Sequence, residues 1–194
     1  MKITSGNIFN DFLEMIYARG AARSTVEAYQ KDLIYFKKWY EETNNVDLVT
    51  EQVTSIDLRE YQNYLQNVND LKPATINRRI AVLAKYFKWL QEAGLISHLP
   101  NFPKAIREQK ASPKALQRNE QNRLLREAEL RGKARDIALV RLLMSCGLRV
   151  SKAITIRLMD LDIGERHGQL VVRGKGNKYR EVPLNKTIRK VLAR

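Results

Sequence analysis

One cysteine in 194 residues, Cys146, excludes a disulfide within the chain. It sits in the apolar run Leu142, Leu143, Met144, Ser145, Cys146, where a free thiol behaves as a small hydrophobe, so a reducing compartment fits. The two histidines, His98 and His167, are isolated, and with one cysteine they supply no metal constellation; no metal is expected. A run of 18 apolar residues is missing, and residues 1–7 lack the apolar core of a signal peptide. The chain is therefore expected to be soluble and cytoplasmic, with no membrane partner.

Acidic residues are scarce only in the second half. Residues 1–103 hold 12 Lys and Arg against 12 Asp and Glu, whereas residues 104–194 hold 23 against 9, so the whole excess of +14 lies after residue 103. A polycationic half whose charges are mixed into segments of clear apolar periodicity points to nucleic acid as the partner, ahead of an acidic protein or a membrane surface.

The balanced half reads as four helices. Residues 8–19 carry Ile8, Phe12, Met15 and Ile16 at helical spacing and stop at Gly20. Ser24 and Glu27 form an expected capping box, opening a helix with the stripe Val26, Tyr29, Leu33, Phe36 and Tyr40. A third helix starts near Ser55 with Leu58, Tyr61, Tyr64 and Leu65 inward. A fourth follows Pro73 with Ile76, Ile80, Leu83, Tyr86, Phe87 and Leu90 before Gly94. Aromatic stripes of this kind are core packing rather than base-stacking platforms.

Pro100, Pro103 and Pro113 and the charged stretch 104–110 then break every periodicity, and a linker is placed at 104–113. Helices are expected at 120–130, 134–146 and 151–156. Period two follows in Leu170, Val171 and Val172, with a basic turn Gly174, Lys175, Gly176, Asn177, Lys178 and a return over 179–184. This is a β-hairpin with a basic tip. A last helix begins near Asn185, and because Arg194 falls inside it the domain is expected to be incomplete.

Three segments carry more specific information. In the helical half, Ser24 and Thr25 start a helix, Tyr29 follows, and Thr75, Ile76, Asn77, Arg78 stand later. In the basic half, Gly147, Leu148, Arg149, Val150, Ser151 precede Leu158, Asp160 and Asp162, and the hairpin runs from Gly174 through Lys175 to Leu184. Together they resemble the tyrosine recombinases of the phage-integrase family, whose first catalytic arginine and catalytic lysine occur in this order and at about this spacing.

The resemblance implies a mainly α fold. Residues 1–103 would be a four-helix SAM-like core-binding domain, joined through 104–113 to the N-terminal part, 114–194, of an α+β catalytic domain. It also implies sequence-specific binding to double-stranded DNA, with the two domains clamping opposite faces of the duplex. The complete protein would act with other recombinase protomers in site-specific recombination through a 3′-phosphotyrosyl link. That link keeps the phosphodiester energy, so no cofactor is expected. The family places its His-x-x-Arg box and nucleophilic tyrosine downstream of the lysine hairpin, so the chain as given is expected not to cut DNA. Two alternatives stay open: a naturally truncated, non-catalytic DNA-binding relative, and a helix-turn-helix type regulator.

The residue types suit that chemistry. A guanidinium offers a planar fork to two phosphate oxygens, the role the resemblance assigns to Arg149. A hairpin lysine is a mobile proton donor for a leaving 5′ oxygen, the role assigned to Lys175. Without the family context Arg149 would pass as a cap on the preceding helix, and the Gly174–Lys178 stretch as an ordinary turn. Lys178 and Arg180 are read as phosphate contacts or solvated charge. In the helical half Thr25, Thr75, Asn77, Arg78, Arg79 and Lys85 are the expected DNA contacts, mostly to phosphate. One departure stands out: three residues after Arg149 the family usually has an acidic side chain, and this sequence has Lys152.

Overall fold

The computed structural model describes residues 5–108, 112, 114–174 and 178–193. They form two units, Met1–Ala111 and Ser112–Arg194. The first is helical: α1 (Ser5–Ala18), α2 (Arg23–Asn44), α3 (Ser55–Asn67) and α4 (Pro73–Glu92). Phe12, Leu33, Phe36, Leu58, Tyr61, Ile76 and Phe87 are buried together, the outcome of apolar residues recurring every three to four positions. Edge-to-face and tilted aromatic contacts link the helices, Phe36 with Tyr61 at 5.0 Å and Phe12 with Tyr86 at 5.3 Å.

The helix starts differ from the expectation at one place. Ala22, with extended backbone, precedes α2, and its carbonyl already accepts the amides of Thr25 and Val26 at 2.8 and 3.2 Å. Ser24 thus lies inside the first turn and caps nothing, while Glu27 pairs with Arg23 at 3.1 Å. The capping box of this unit is on α3, where the Thr54 hydroxyl accepts the Asp57 amide and the Asp57 carboxylate accepts the Thr54 amide at 2.7 Å.

Residues 104–108, read as the start of the linker, lie against the helical unit. Gln62 donates to the Lys104 carbonyl at 3.0 Å, Phe102 packs on Phe87, and Ile106 adds to the core.

The second unit contains α5 (Arg118–Leu130), α6 (Ala134–Cys146), the single turn α7 (Val150–Ala153), β1 (Leu161–Ile163), β2 (Gly168–Arg173), β3 (Tyr179–Pro183) and α8 (Lys186–Leu192). The strands form one antiparallel sheet in the order β1, β2, β3, with Leu170 opposite both Leu161 and Val182. β1 was not foreseen, because three residues are too short to show a period. α7 is shorter than expected. Its chain leaves the helix at Ile154, where β-branched Ile154, Thr155 and Ile156 follow one another. The core joins Leu142, Leu148, Ala153, Leu170, Val172, Leu184 and Ile188. No helix among the described residues is long and apolar enough to cross a membrane.

Candidate nucleic-acid interface

The geometry around Arg149 starts with Gly147. α6 ends there in the left-handed conformation at φ +58°, which turns the chain and drops Leu148 into the core. Arg149 follows with extended backbone as the residue before α7, and its carbonyl accepts the amides of Lys152 and Ala153 at 2.8 and 3.0 Å. Buried Leu148 on one side and buried Ala153 on the other fix its backbone, while its side chain is exposed. The backbone at Arg149 is thus ordered in advance, and only the side chain has to be ordered when its guanidinium meets an anion.

The hairpin is the second basic element. β2 buries Gly168, Leu170 and Val172 and turns Gln169, Val171 and Arg173 outward, the alternation of a half-buried strand. Arg173 is opposite Tyr179, and the Gly174 amide closes the loop on the Lys178 carbonyl. Lys178 and Arg180 are exposed. Lys175, Gly176 and Asn177 lie outside the described residues, so the tip lysine is located by sequence alone.

Lys152 follows Arg149 by three residues in α7, and its backbone amide donates to the Arg149 carbonyl at 2.8 Å. It lines an open cleft of about 490 Å³ together with Thr155, Arg157, Asp160, Arg173 and Tyr179, and Arg149 is not among the lining residues.

The expected contacts of the helical unit divide into two groups. Thr25 and Thr75, in the first turns of α2 and α4, are half-exposed, and Lys85 is exposed with its ammonium 5.3 Å from the Tyr29 ring centre. The remaining three also have partners within the protein, though Arg78 stays 48% exposed. Asn77 donates to the Ile106 carbonyl at 2.9 Å and accepts the Ile106 amide at 2.8 Å, tying the strap of residues 104–108 to α4. Arg78 makes a two-pronged pair with the buried carboxylate of Asp32 on α2. The Arg79 guanidinium lies 4.1 Å over the Tyr35 ring, and Arg79 is mostly buried. Burial pushes the nearby Tyr61 phenol above its ordinary range, with Arg79 acting against that rise.

Sequence reasoning missed Asp32. Its signal was a carboxylate immediately before the buried Leu33 on a core-facing stretch, where burial requires a cationic partner, and two adjacent arginines on another helix were available.

Comparison with known proteins places this geometry. Residues 9–94 match the family described as phage integrase, N-terminal SAM-like domain, and residues 114–194 match the phage integrase family. The chain is 28% identical to the tyrosine recombinase XerD of Listeria monocytogenes over 195 residues, 96% of this chain and 63% of that protein. It is 32% identical to XerD of Rhizobium meliloti over 185 residues, 90% of this chain and 58% of that one. The chain thus spans under two-thirds of the length of these relatives. In fold it resembles the XerH site-specific recombinase bound to difH (TM-score 0.69, 19% identity, 91% of this chain and 53% of that one). A lambda integrase dimer bound to a COC' core site gives a TM-score of 0.68 at 17% identity, over 93% of this chain and 49% of that one.

Proposed function

As the chain belongs to the phage integrase family of tyrosine recombinases, we propose that it binds duplex DNA as part of a site-specific recombinase, with Arg149 and Lys175 serving the strand-transfer site. The observation that carries this reading is the presentation of Arg149: an exposed guanidinium on a backbone pinned by Leu148 and Ala153, in the unit that bears the basic hairpin. In the whole protein Arg149 would hold two non-bridging oxygens of the scissile phosphate as charge builds in the transition state, and Lys175 would protonate the departing 5′ oxygen. The reaction would conserve the phosphodiester energy in a 3′-phosphotyrosyl bond formed among several protomers, without a cofactor.

Residues 1–103 and 114–194 act in this reading as the core-binding and catalytic portions, on opposite faces of the duplex. Thr25, Thr75 and Lys85 would supply contacts of the first portion, and Lys178 and Arg180 phosphate contacts of the second. Asn77 and Arg79, tied to Ile106 and stacked on Tyr35, would shape the DNA-facing surface from behind, whereas Arg78, 48% exposed, would pair with Asp32 and still present donors to a phosphate.

Filter binding of the chain to a 30-base-pair duplex between 50 and 200 mM salt tests the reading. A log-log slope of about −5 to −9 is expected from the release of counterions. Arg149→Gln is expected to reduce it by about one. A flat salt response overturns DNA binding, and an unchanged slope in the variant removes Arg149 from the interface.

A further inference from the structure

The cleft that contains Lys152 is outside the roles assigned above. It opens between the turn after α7 and the hairpin, and Lys152, Arg157 and Arg173 bring three cations to it from separate segments. Asp160 is the one carboxylate among its lining residues, and that group is already used: it accepts the Arg157 backbone amide at 2.8 Å and caps the short turn of residues 158–160. The Thr155 hydroxyl turns back to the Lys152 and Ser151 carbonyls at 3.0 and 3.3 Å. Among the described residues, none of the three cations makes an ion pair. Some cations elsewhere are paired along or across helices, as in Lys37 with Glu41 and Arg141 with Glu129.

Three like charges lining one solvent-open cleft repel one another across a screening medium, and a bound anion would lower that repulsion further. A phosphodiester fits the chemistry. Arg157 and Arg173 offer forked donors to its non-bridging oxygens, and Lys152 adds a point charge. Arg173 and Tyr179 form the last register pair before the hairpin tip, so an anion here would lie next to whatever that tip approaches. The usual acidic residue at position 152 would add a second carboxylate to the cleft; lysine makes the cleft cationic.

We propose that the Lys152, Arg157 and Arg173 cleft is a seat for one backbone phosphate of bound duplex, distinct from the phosphate held by Arg149. This rests on the reading that the chain binds duplex DNA. The test is the salt dependence of duplex binding for the whole chain and for Lys152→Gln, Arg157→Gln and Arg173→Gln, with Arg131→Gln, an exposed cation at the end of α5, as the measure of simple charge loss. Circular dichroism of each variant verifies folding.

Each cleft variant is expected to flatten the log-log slope by about 0.9, and Arg131→Gln by much less. Equal flattening by all four variants, or by none, overturns the seat while leaving DNA binding intact. Failure of the unaltered chain to bind duplex overturns the functional reading and the seat together. Inorganic phosphate at constant ionic strength separates the two sources of the anion. Weak, non-saturating shifts of the Thr155 and Val172 amide resonances are expected, since a free ion lacks the rest of the duplex to hold it. Saturation by inorganic phosphate at the concentrations where duplex saturates would make this a free-phosphate site and overturn the proposal.

Discussion

Asp32 on α2 receives both terminal nitrogens of Arg78 on α4, and Arg79, next in sequence, brings its Nε to 3.7 Å from the same carboxylate. Asp32 is 4% exposed, and a buried carboxylate with two cationic neighbours leaves unpaired charge behind when it is removed. Asp32→Ala is therefore expected to destabilise the helical unit by about 3 kcal/mol, and Arg78→Ala by less, because Arg79 remains to share the carboxylate. Both tryptophans, Trp39 and Trp89, lie in this unit, so urea unfolding followed by their fluorescence reads it selectively. Equal losses in the two variants would show that Arg79 contributes nothing to the pair.

The strap of residues 104–108 depends on Asn77, whose amide answers both polar groups of the Ile106 backbone. Asn77→Ala removes three hydrogen bonds, two to the Ile106 backbone and one at 3.3 Å to the Glu108 carboxylate, a loss of about 1 to 3 kcal/mol in local stability. Faster trypsin cleavage after Lys104 and Arg107 is the expected consequence, with the tryptophan unfolding curve shifted little. Unchanged cleavage would mean that Phe102 and Ile106 hold the strap through apolar contact alone.

Glu41 closes the turn that follows α2, accepting Lys37 at 2.5 Å and the Leu48 amide at 3.1 Å. Burial raises its pKa, but the Lys37 hydrogen bond, the Leu48 amide and the Lys37 charge together outweigh that and leave the carboxyl below its ordinary value. A group depressed in the folded state contributes stability above its unfolded pKa and loses it as pH falls through the folded one. Wild type is thus expected to gain over Glu41→Gln at neutral pH, by about 1 kcal/mol, with the difference vanishing toward pH 3. A constant difference from pH 7 to pH 3 would contradict this.

Gly147 sets the turn that presents Arg149, and a Cβ added there would meet no atom within 4 Å. The cost of Gly147→Ala is then the local left-handed backbone penalty, about 1 kcal/mol, with no clash against the rest of the protein. Reactivity of the Cys146 thiol, which burial holds above its ordinary pKa, reports opening of this unit. About fivefold faster labelling is expected, the equivalent of 1 kcal/mol. A change of a hundredfold would indicate lost packing around Leu148 rather than strain at one residue.

The sequence by itself determined the main helices of the first unit, the hairpin, the position of Arg149 and the side on which charge accumulates. Each is written in short-range order: apolar residues every three to four positions in α2, α3 and α4, alternation in β2, a glycine where α6 must stop. Tertiary structure alone decided which polar residues are free to meet a ligand. Asn77, Arg78 and Arg79 read as surface contacts, and packing adds internal partners that the sequence did not show, Ile106, Asp32 and Tyr35, 29, 46 and 44 positions away in sequence. In the same way only the fold shows that Lys152, three residues from Arg149, lines a cleft with Arg173. The physical reason is the same in each case. A side chain's partners are chosen by the desolvation that packing imposes, and a linear pattern records which residues are polar without recording which other polar groups burial will bring beside them.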